Sequence, residues 1–166
     1  MATTDNKRHL LDIMKDFDNA MLVTQRPEGT LRGRPMRVAS LEEDGTVYFV
    51  ASLDSPKIDE LARKPDVAVT MQGKLTWASV SGRVTVERDR AKIDRLWKEE
   101  WKAYFPKGKD DPEICLIHVH PTEGEFWDNN GTEGVQYVLE VARALVSGDK
   151  AKPGEGVSGH VALKGS

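Results

Sequence analysis

Cysteine and long apolar runs are nearly absent from this sequence, and each absence excludes a class of protein. The 166 residues include one cysteine, Cys115, so neither an internal disulfide nor a cysteine-rich zinc site can form. No segment approaches the ~18 consecutive apolar residues of a membrane span, so no membrane partner is expected. Residues 1–17 lack the apolar stretch of a secretory signal and carry acidic side chains. We therefore expect a cytoplasmic protein.

An excess of positive charge is also missing. The chain has 24 Lys and Arg against 27 Asp and Glu, which gives a net charge of -3. Because nucleic-acid-binding domains are usually basic, no nucleic-acid partner is expected. Hydrophobic residues make up 39% of the chain, enough for one core, and this length corresponds to one domain.

Apolar periodicity divides the chain into strand-like and helical segments. Strands are predicted over residues 20–25, 35–42, 46–52, 66–72, 75–87 and 114–121, the last with a possible extension over 123–128. Helices are predicted over residues 5–19, 56–63, 89–105 and 135–148. Gly82, in the middle of the fifth strand, predicts a bulge or a close backbone approach.

Short turn signals join most of the predicted strands, and this favours an antiparallel arrangement. Glu43-Asp44-Gly45, for example, predicts a hairpin between the second and third strands. A doubly wound parallel sheet would need a helix after nearly every strand, and most are missing. We predict a mainly β, α+β domain over residues 1–148, followed by a flexible tail over 149–166 that is rich in Gly, Lys and Glu.

Three arginines, Arg32, Arg34 and Arg37, lie within six residues around the start of the second strand. Strand alternation places Arg32 and Arg34 on one face and Arg37 on the other. Guanidinium groups bind phosphate or carboxylate in a bidentate manner, although the same pattern also fits a solvated strand edge.

A second basic site is predicted where the third strand leads into a helix, at Ser52-Leu53-Asp54-Ser55-Pro56-Lys57. Ser55 suits the N-cap and Pro56 the first helical position. Free backbone N–H groups at a helix start bind anions, and Lys57 adds a charge that is unfavourable there unless an anion offsets it. An ordinary cap beside an exposed lysine is the alternative. Two basic clusters flanking one hairpin fit a phosphorylated small molecule.

The remaining candidates are aromatic, histidine and cysteine side chains. Trp97 and Trp101 share a helical stripe typical of a core. Trp77 and Trp127 lie on mixed faces, where either could wall a planar ligand or fill a subunit interface. His118 and His120 point to one side of a strand, but no carboxylate or cysteine has a spacing that would complete a metal site, so none is expected. Cys115 opens an apolar strand, which favours a packed thiol over a nucleophile.

The order of these segments resembles that of the FMN-binding split-barrel superfamily. Within it, the chain is similar to the general stress protein branch of the pyridoxamine 5'-phosphate oxidase-like proteins. The resemblance extends over about residues 10–130 and is most specific in RPM…FVAS–DSPK, with SGRV and EFW in support. It implies a six-stranded antiparallel split β-barrel with flanking helices.

The same resemblance implies a homodimer that binds FMN in the cleft between its subunits. Arg34, Ser52, Ser55 and Lys57 would face the phosphate and ribityl chain. The isoalloxazine ring would be bordered by Pro35, Met36, Arg37, Phe49, Val50 and Ala51. The resemblance also places Trp77 near the flavin and implies that Trp127 comes from the other subunit.

The function that this resemblance implies is a flavin-dependent oxidoreductase with a small-molecule redox partner and a stress-related role. A non-catalytic FMN sensor or carrier, or the same fold with deazaflavin F420 or haem, are the alternatives. Pyridoxamine-phosphate oxidases proper carry a basic C-terminal stretch, whereas here Trp127 is followed by Asp128, Asn129 and Asn130. A vitamin B6 phosphate ester is therefore not the expected substrate.

Overall fold

A computed structural model describes residues 2–148, 150 and 158–163 of the chain. Its strands are β1 (Asn19–Gln25), β2 (Leu31–Leu41), β3 (Val47–Ser52), β4 (Asp66–Gln72), β5 (Thr76–Glu87), β6 (Ile114–Asp128) and β7 (Ser158–Ala162). Its helices are α1 (Ala2–Lys15), α2 (Pro56–Arg63), α3 (Arg90–Leu96) and α4 (Gly131–Ser147), with a 3₁₀ helix over Glu99–Ala103.

Six of the strands close into an antiparallel barrel. They are hydrogen-bonded in the order β3-β2-β1-β4-β5-β6, and pairing of β3 with β6 completes the ring. This closure is possible because β6 is long: residues 114–119 pair with β3, and residues 123–127 pair with β7 beyond it. The predicted mainly β, six-stranded antiparallel barrel with flanking helices is confirmed.

The barrel interior is filled by alternate residues of its strands, as the two-residue period of a strand requires. Leu22, Val69, Val80 and Phe49 are each at most 1% exposed and belong to one apolar cluster. The amphipathic helix α1 adds Leu10 and Met14 to this cluster.

A second apolar cluster lies outside the barrel wall, under α3 and the 3₁₀ helix. Ile93, Trp101 and Phe105 pack there against Tyr48 and Leu116. The prediction of one continuous helix over 89–105 is wrong, because α3 ends at Leu96 and the backbone at the next two residues has ψ of 134° and 135°. Trp101, in the 3₁₀ helix, and Phe105, just after it, reach the barrel wall.

Gly82 marks a bulge where β5 passes β6, as predicted. The register between the two strands shifts between Ser81 and Gly82. A Cβ atom at Gly82 would lie 2.3 Å from the carbonyl oxygen of His120, closer than real Cβ contacts come. Only glycine fits at this position without a backbone shift.

The C-terminal part of the chain differs from the flexible tail expected over 149–166. Residues 158–162 form β7, and Ser158 pairs with Trp127 on β6. This strand has an alternating pattern too short to stand out in a Gly- and Lys-rich sequence. Residue 149 and residues 151–157 lie outside the described part. Gly148 ends α4 in the left-handed conformation, as predicted.

Candidate functional site

A cavity of about 580 Å³ lies outside the barrel wall, between β2, β3, the start of α2 and the 3₁₀ segment. This volume is in the range of small-molecule and cofactor sites. Eight residues that the sequence assigns to the site line it: Pro35, Met36, Arg37, Val50, Ala51, Ser52, Ser55 and Lys57. The two sequence segments that flank the predicted hairpin therefore meet at one place.

Lys57 supplies positive charge at one end of the cavity. Its Nζ atom donates a hydrogen bond to Ser55 Oγ at 2.6 Å, and Ser55 occupies the N-cap of α2. Burial and the nearby guanidinium of Arg34 lower the pKa of Lys57. Among the described residues, no carboxylate forms an ion pair with this ammonium group. A half-buried cation held only by a hydroxyl group favours the binding of an anion.

Arg34 lies behind this end of the cavity rather than on its surface, and its predicted contact with the phosphate stays a prediction. Its Nη2 atom donates to Glu60 Oε2 at 2.5 Å and to Thr24 Oγ1 at 2.9 Å. The Arg34 and Glu60 side chains are 13% and 10% exposed. Burial alone would raise the pKa of Glu60, but hydrogen bonds from Arg34 and Thr24 outweigh it and lower that pKa.

One hydrogen-bond donor of the Arg34 guanidinium is unpaired among the described residues. Its Nε atom is buried and has no hydrogen-bond partner among the described residues. Arg32 also approaches Glu60, with its Nη1 atom 3.6 Å from Glu60 Oε1. The single carboxylate of Glu60 therefore faces two guanidinium groups, and the cluster with Lys57 keeps net positive charge beside the cavity.

Besides Arg34, three predicted site residues do not line the cavity of this chain. Phe49 is fully buried in the barrel interior, because strand alternation turns it away from Val50. Its side chain therefore does not line the cavity, and its predicted contact with the isoalloxazine ring stays a prediction. Trp77 and Trp127 face each other across β5 and β6, where Trp127 is 40% exposed. A contribution of Trp127 from a second subunit stays a prediction.

The far wall of the cavity comes from residues that were not assigned to a site. Trp101, Phe105 and Tyr104 line it, together with Asn19. Trp101 and Phe105 are buried in the second apolar cluster, whereas Tyr104 is 81% exposed. Their helical spacing in the sequence indicated core residues and did not indicate that these aromatic side chains also border a cavity. They make this end of the cavity apolar and aromatic, opposite the cationic end.

Arg37 links the two walls. Its Nε atom lies 2.9 Å from Glu100 Oε1 on the 3₁₀ helix, and both side chains are about half exposed. The face assignment from the sequence is thus confirmed, since Arg37 turns away from the Glu60 cluster that Arg32 and Arg34 share.

Cys115 lies behind the cavity wall as a packed thiol, as expected. It is fully buried, and its Sγ atom donates to the carbonyl oxygen of Ala51 at 3.4 Å. Burial raises the pKa of Cys115 to about 11. A thiol with this pKa is a poor nucleophile.

His118 and His120 are engaged in a separate polar cluster beside α3. Their rings stack with centroids 3.7 Å apart, and His118 Nδ1 donates to Glu87 Oε1 at 2.5 Å. Lys92 Nζ donates to the other oxygen of Glu87 at 2.6 Å. No three His, Cys, Asp or Glu side chains in the described part of the chain are arranged to hold a metal ion.

None of the helices that the structure describes is long and apolar enough to span a membrane.

Comparison with solved structures gives the same fold. A putative general stress protein 26 from Jannaschia sp. CCS1 aligns over 96% of this chain and 99% of its own, with 23% identity and a TM-score of 0.71. A general stress FMN/FAD binding protein from Xanthomonas citri aligns over 78% of this chain and 93% of its own, with 27% identity and a TM-score of 0.66.

Sequence comparison extends these findings. Among curated proteins, protein bli-3 of Neurospora crassa is 26% identical over 134 residues, which cover 74% of this chain and 64% of that protein. The chain thus spans slightly less than two thirds of that relative. The sequence model of the family described as pyridoxamine 5'-phosphate oxidase like matches residues 5–152. The chain belongs to the pyridoxamine 5'-phosphate oxidase-like family.

Proposed function

We propose that this protein binds FMN in the cavity, with the phosphate at the Lys57 end. The observation that carries the proposal is the half-buried Lys57 ammonium, which has no carboxylate partner among the described residues and stands at the start of α2. Backbone N–H groups at a helix start favour phosphate binding, and the hydroxyl groups of Ser52 and Ser55 line the same end. The relative from Xanthomonas citri, described as FMN/FAD binding, supports a flavin.

The donor set around the cavity fits such a ligand. Arg34, with an unpartnered buried Nε atom, adds positive charge behind the phosphate position. Met36, Val50 and Trp101 offer apolar walls for a planar ring at the other end. Arg37, anchored by Glu100, lies beside that ring position. The bound flavin would supply the redox chemistry, so the chain itself needs no nucleophile.

The function we propose is that of a flavin-dependent oxidoreductase that exchanges electrons with a small-molecule partner. Trp127 is exposed and does not line the cavity of its own chain, so it is available to a second subunit, and we propose a homodimer with FMN at the subunit interface. A vitamin B6 phosphate ester is not the proposed substrate. The residue after Trp127 is Asp128, which accepts a hydrogen bond from His9 at 2.7 Å and offers no positive charge to a substrate phosphate.

Titration of the protein with FMN, riboflavin and FAD tests the proposal, with flavin fluorescence as the readout. Riboflavin lacks the phosphate, so we expect it to bind roughly 10- to 100-fold more weakly than FMN, as the loss of charged hydrogen bonds implies. Equal affinity for riboflavin and FMN would show that the phosphate does not bind at Lys57, and no flavin binding at all would contradict the proposal.

A spectrum of the cofactor bound in purified protein separates FMN from F420 and haem. Anaerobic mixing of the FMN-loaded protein with NADH or NADPH then separates an oxidoreductase from a carrier. Bleaching of the flavin absorption followed by turnover with an added acceptor is the expected result. An FMN complex that no donor reduces would instead favour the non-catalytic sensor or carrier.

A further inference from the structure

Lys57 has the surroundings of a reactive amine as well as those of an anion site. Its side chain lines the cavity, so a small molecule inside the cavity can contact the Nζ atom. The Nζ atom donates to the neutral hydroxyl group of Ser55 at 2.6 Å, and no carboxylate among the described residues forms an ion pair with it. No ion pair therefore holds Lys57 in its protonated form, and only the neutral form of a lysine is a nucleophile.

The charges around Lys57 favour this neutral form. Burial lowers the pKa of Lys57 most, and the guanidinium groups of Arg34 and Arg32 lower it further. The Cys115 side chain and the exposed carboxylate of Asp54 act in the opposite direction and are outweighed. Lysines whose pKa is lowered by burial or by neighbouring cations are the ones that act as nucleophiles in proteins. At a given pH, the Lys57 amine is thus neutral in a larger fraction of molecules than an exposed lysine is.

The two arginines beside Lys57 indicate which acylating molecule this end of the cavity fits. Arg32 is half exposed, and it shares the single Glu60 carboxylate with Arg34, so one positive charge of the two is not neutralised. Guanidinium groups bind phosphate and stay charged at every physiological pH. They can therefore attract a phosphate group while Lys57 itself is neutral. A reagent that carries its reactive carbonyl group next to a phosphate meets both requirements.

An acyl phosphate has this arrangement, because its phosphate is bonded directly to the acyl group. A phosphate bound beside Lys57 brings the carbonyl carbon next to the Nζ atom, and two reactants held together react far faster than two in solution. An acyl thioester of coenzyme A fits less well, since its phosphate groups lie at the opposite end of a long chain from the acyl group. Binding of those phosphate groups beside Lys57 would keep the thioester away from the amine.

We propose that Lys57 is a site of acylation by small acyl phosphates. The neutral Nζ atom forms a bond to the carbonyl carbon, and the bond between that carbon and the phosphate oxygen breaks. Inorganic phosphate leaves with the electron pair of this bond, and the proton that Nζ loses passes to the phosphate or to water. Nothing is oxidised or reduced, and the products are an amide at Lys57 and free phosphate.

Acylation of Lys57 would close the cationic end of the cavity to a phosphate ligand. The amide is uncharged, so the half-buried cation is lost, and the added acyl group occupies space beside Ser55. This consequence rests on the proposed function, because it concerns the position of the FMN phosphate, whereas the acylation itself does not. The modification would thereby make flavin binding depend on the supply of acyl phosphate.

Incubation of the protein with acetyl phosphate, without added flavin, tests the proposal by peptide mass spectrometry. Lys64, exposed at the other end of α2, is the control within the same chain. We expect Lys57 to be acetylated at least about tenfold faster than Lys64, a small part of the gain that holding two reactants together can give. Excess inorganic phosphate should remove this preference, because it competes for the same position. Acetic anhydride, which has no phosphate, should show a smaller preference for Lys57.

Equal rates at Lys57 and Lys64 with acetyl phosphate would overturn the proposal. So would a preference that inorganic phosphate does not reduce, or one of the same size with acetic anhydride, because either result would show a reactive amine without a phosphate site. Transfer of the phosphate to Ser55 in place of the acetyl group to Lys57 would also contradict it. These measurements use the unsubstituted protein, so no variant has to fold.

Addition of FMN separates this inference from the proposed function. FMN should protect Lys57 from acetyl phosphate, and the acetylated protein should bind FMN at least about tenfold more weakly, as the loss of a charged hydrogen bond implies. Selective acetylation that FMN does not prevent would contradict the proposed position of FMN and leave the acylation site standing. FMN binding that depends on the phosphate, together with no preference for Lys57 over Lys64, would overturn the acylation site alone.

Discussion

Arg34 and Glu60 form an ion pair 2.5 Å long behind the cavity, with both side chains at least 85% covered. The pair joins β2 to α2, the two elements that supply most of the cationic end of the cavity. Because Glu60 also accepts a hydrogen bond from Thr24 on β1, one carboxylate ties three elements together. The Glu60 carboxylate holds Arg34 behind the cavity. The Arg34 charge acts on the cavity from there, while the Arg34 side chain does not fill it.

Glu60→Gln should be strongly destabilising. Removal of one partner of a buried ion pair leaves the other charge uncompensated, so we expect the free energy of unfolding to fall by roughly 3 kcal/mol. Urea denaturation followed by tryptophan fluorescence measures it. Glu100→Gln is the control, since its pair with Arg37 is half exposed and should be worth less than about 1 kcal/mol. A similar loss in both variants would show that Glu60 has no special structural role.

Lys57→Met should lower ligand affinity without lowering stability. We expect FMN affinity to fall roughly 10- to 100-fold with the loss of a charged hydrogen bond. The ligand-free protein should not lose stability, because burial lowers the pKa of Lys57 and its charge therefore disfavours the folded state at any pH below that pKa. Lys64→Met, at the other end of α2, is the control. Unchanged FMN affinity in Lys57→Met would remove Lys57 from the phosphate site.

Local signals determined how much of the fold could be predicted from the sequence. Helix α2 begins at Pro56 and ends at Arg63 as predicted, because Ser55-Pro56 and Lys64-Pro65 mark both ends. No comparable sequence signal indicates the helix break after Leu96. The apolar spacing of Trp97 and Trp101 is the same for one helix or two, and only packing on the barrel wall decides between them.

The site was predictable on its polar side and not on its aromatic side. Ser55 and Lys57 follow from helix-start chemistry, which depends on a few adjacent residues. Glu60, the partner of Arg34, is 26 residues away in the chain, and only the closed barrel brings the two together. Tyr104 and Phe105 reach the cavity through the same helix break that the sequence does not show.

Gly82→Ala should destabilise the barrel where β5 bulges against β6. The added Cβ atom would meet backbone atoms of His120, which cannot rotate away as a side chain can, so we expect a loss of about 1–3 kcal/mol. Gly33→Ala on β2 is the matched control. Its nearest neighbour is the flexible end of Met21 at 3.3 Å, and its cost should stay below about 1 kcal/mol. Thermal unfolding of both variants checks the difference, and equal losses would contradict it.

Glu87 should make the stability of the protein depend on pH in the acid range. Burial alone would raise the pKa of its carboxyl group, but hydrogen bonds from Lys92 and His118 outweigh burial and lower the pKa below the ordinary 4.5. A carboxylate with a lowered folded pKa stabilises the fold above the unfolded pKa, and this contribution disappears as pH falls through the folded value.

Glu87→Gln is therefore expected to lower the free energy of unfolding by roughly 1–3 kcal/mol at pH 7, the range for hydrogen bonds to a charged group. The difference from the parent protein should shrink as pH falls below about 4.5. Urea denaturation at a series of pH values from 7 to 3 measures it. Glu123→Gln is the control, since Glu123 lies on the exposed surface 3.3 Å from His160 and its curve should run close to that of the parent protein. A difference for Glu87→Gln that stays constant over this range would show that the carboxylate charge does not stabilise the cluster.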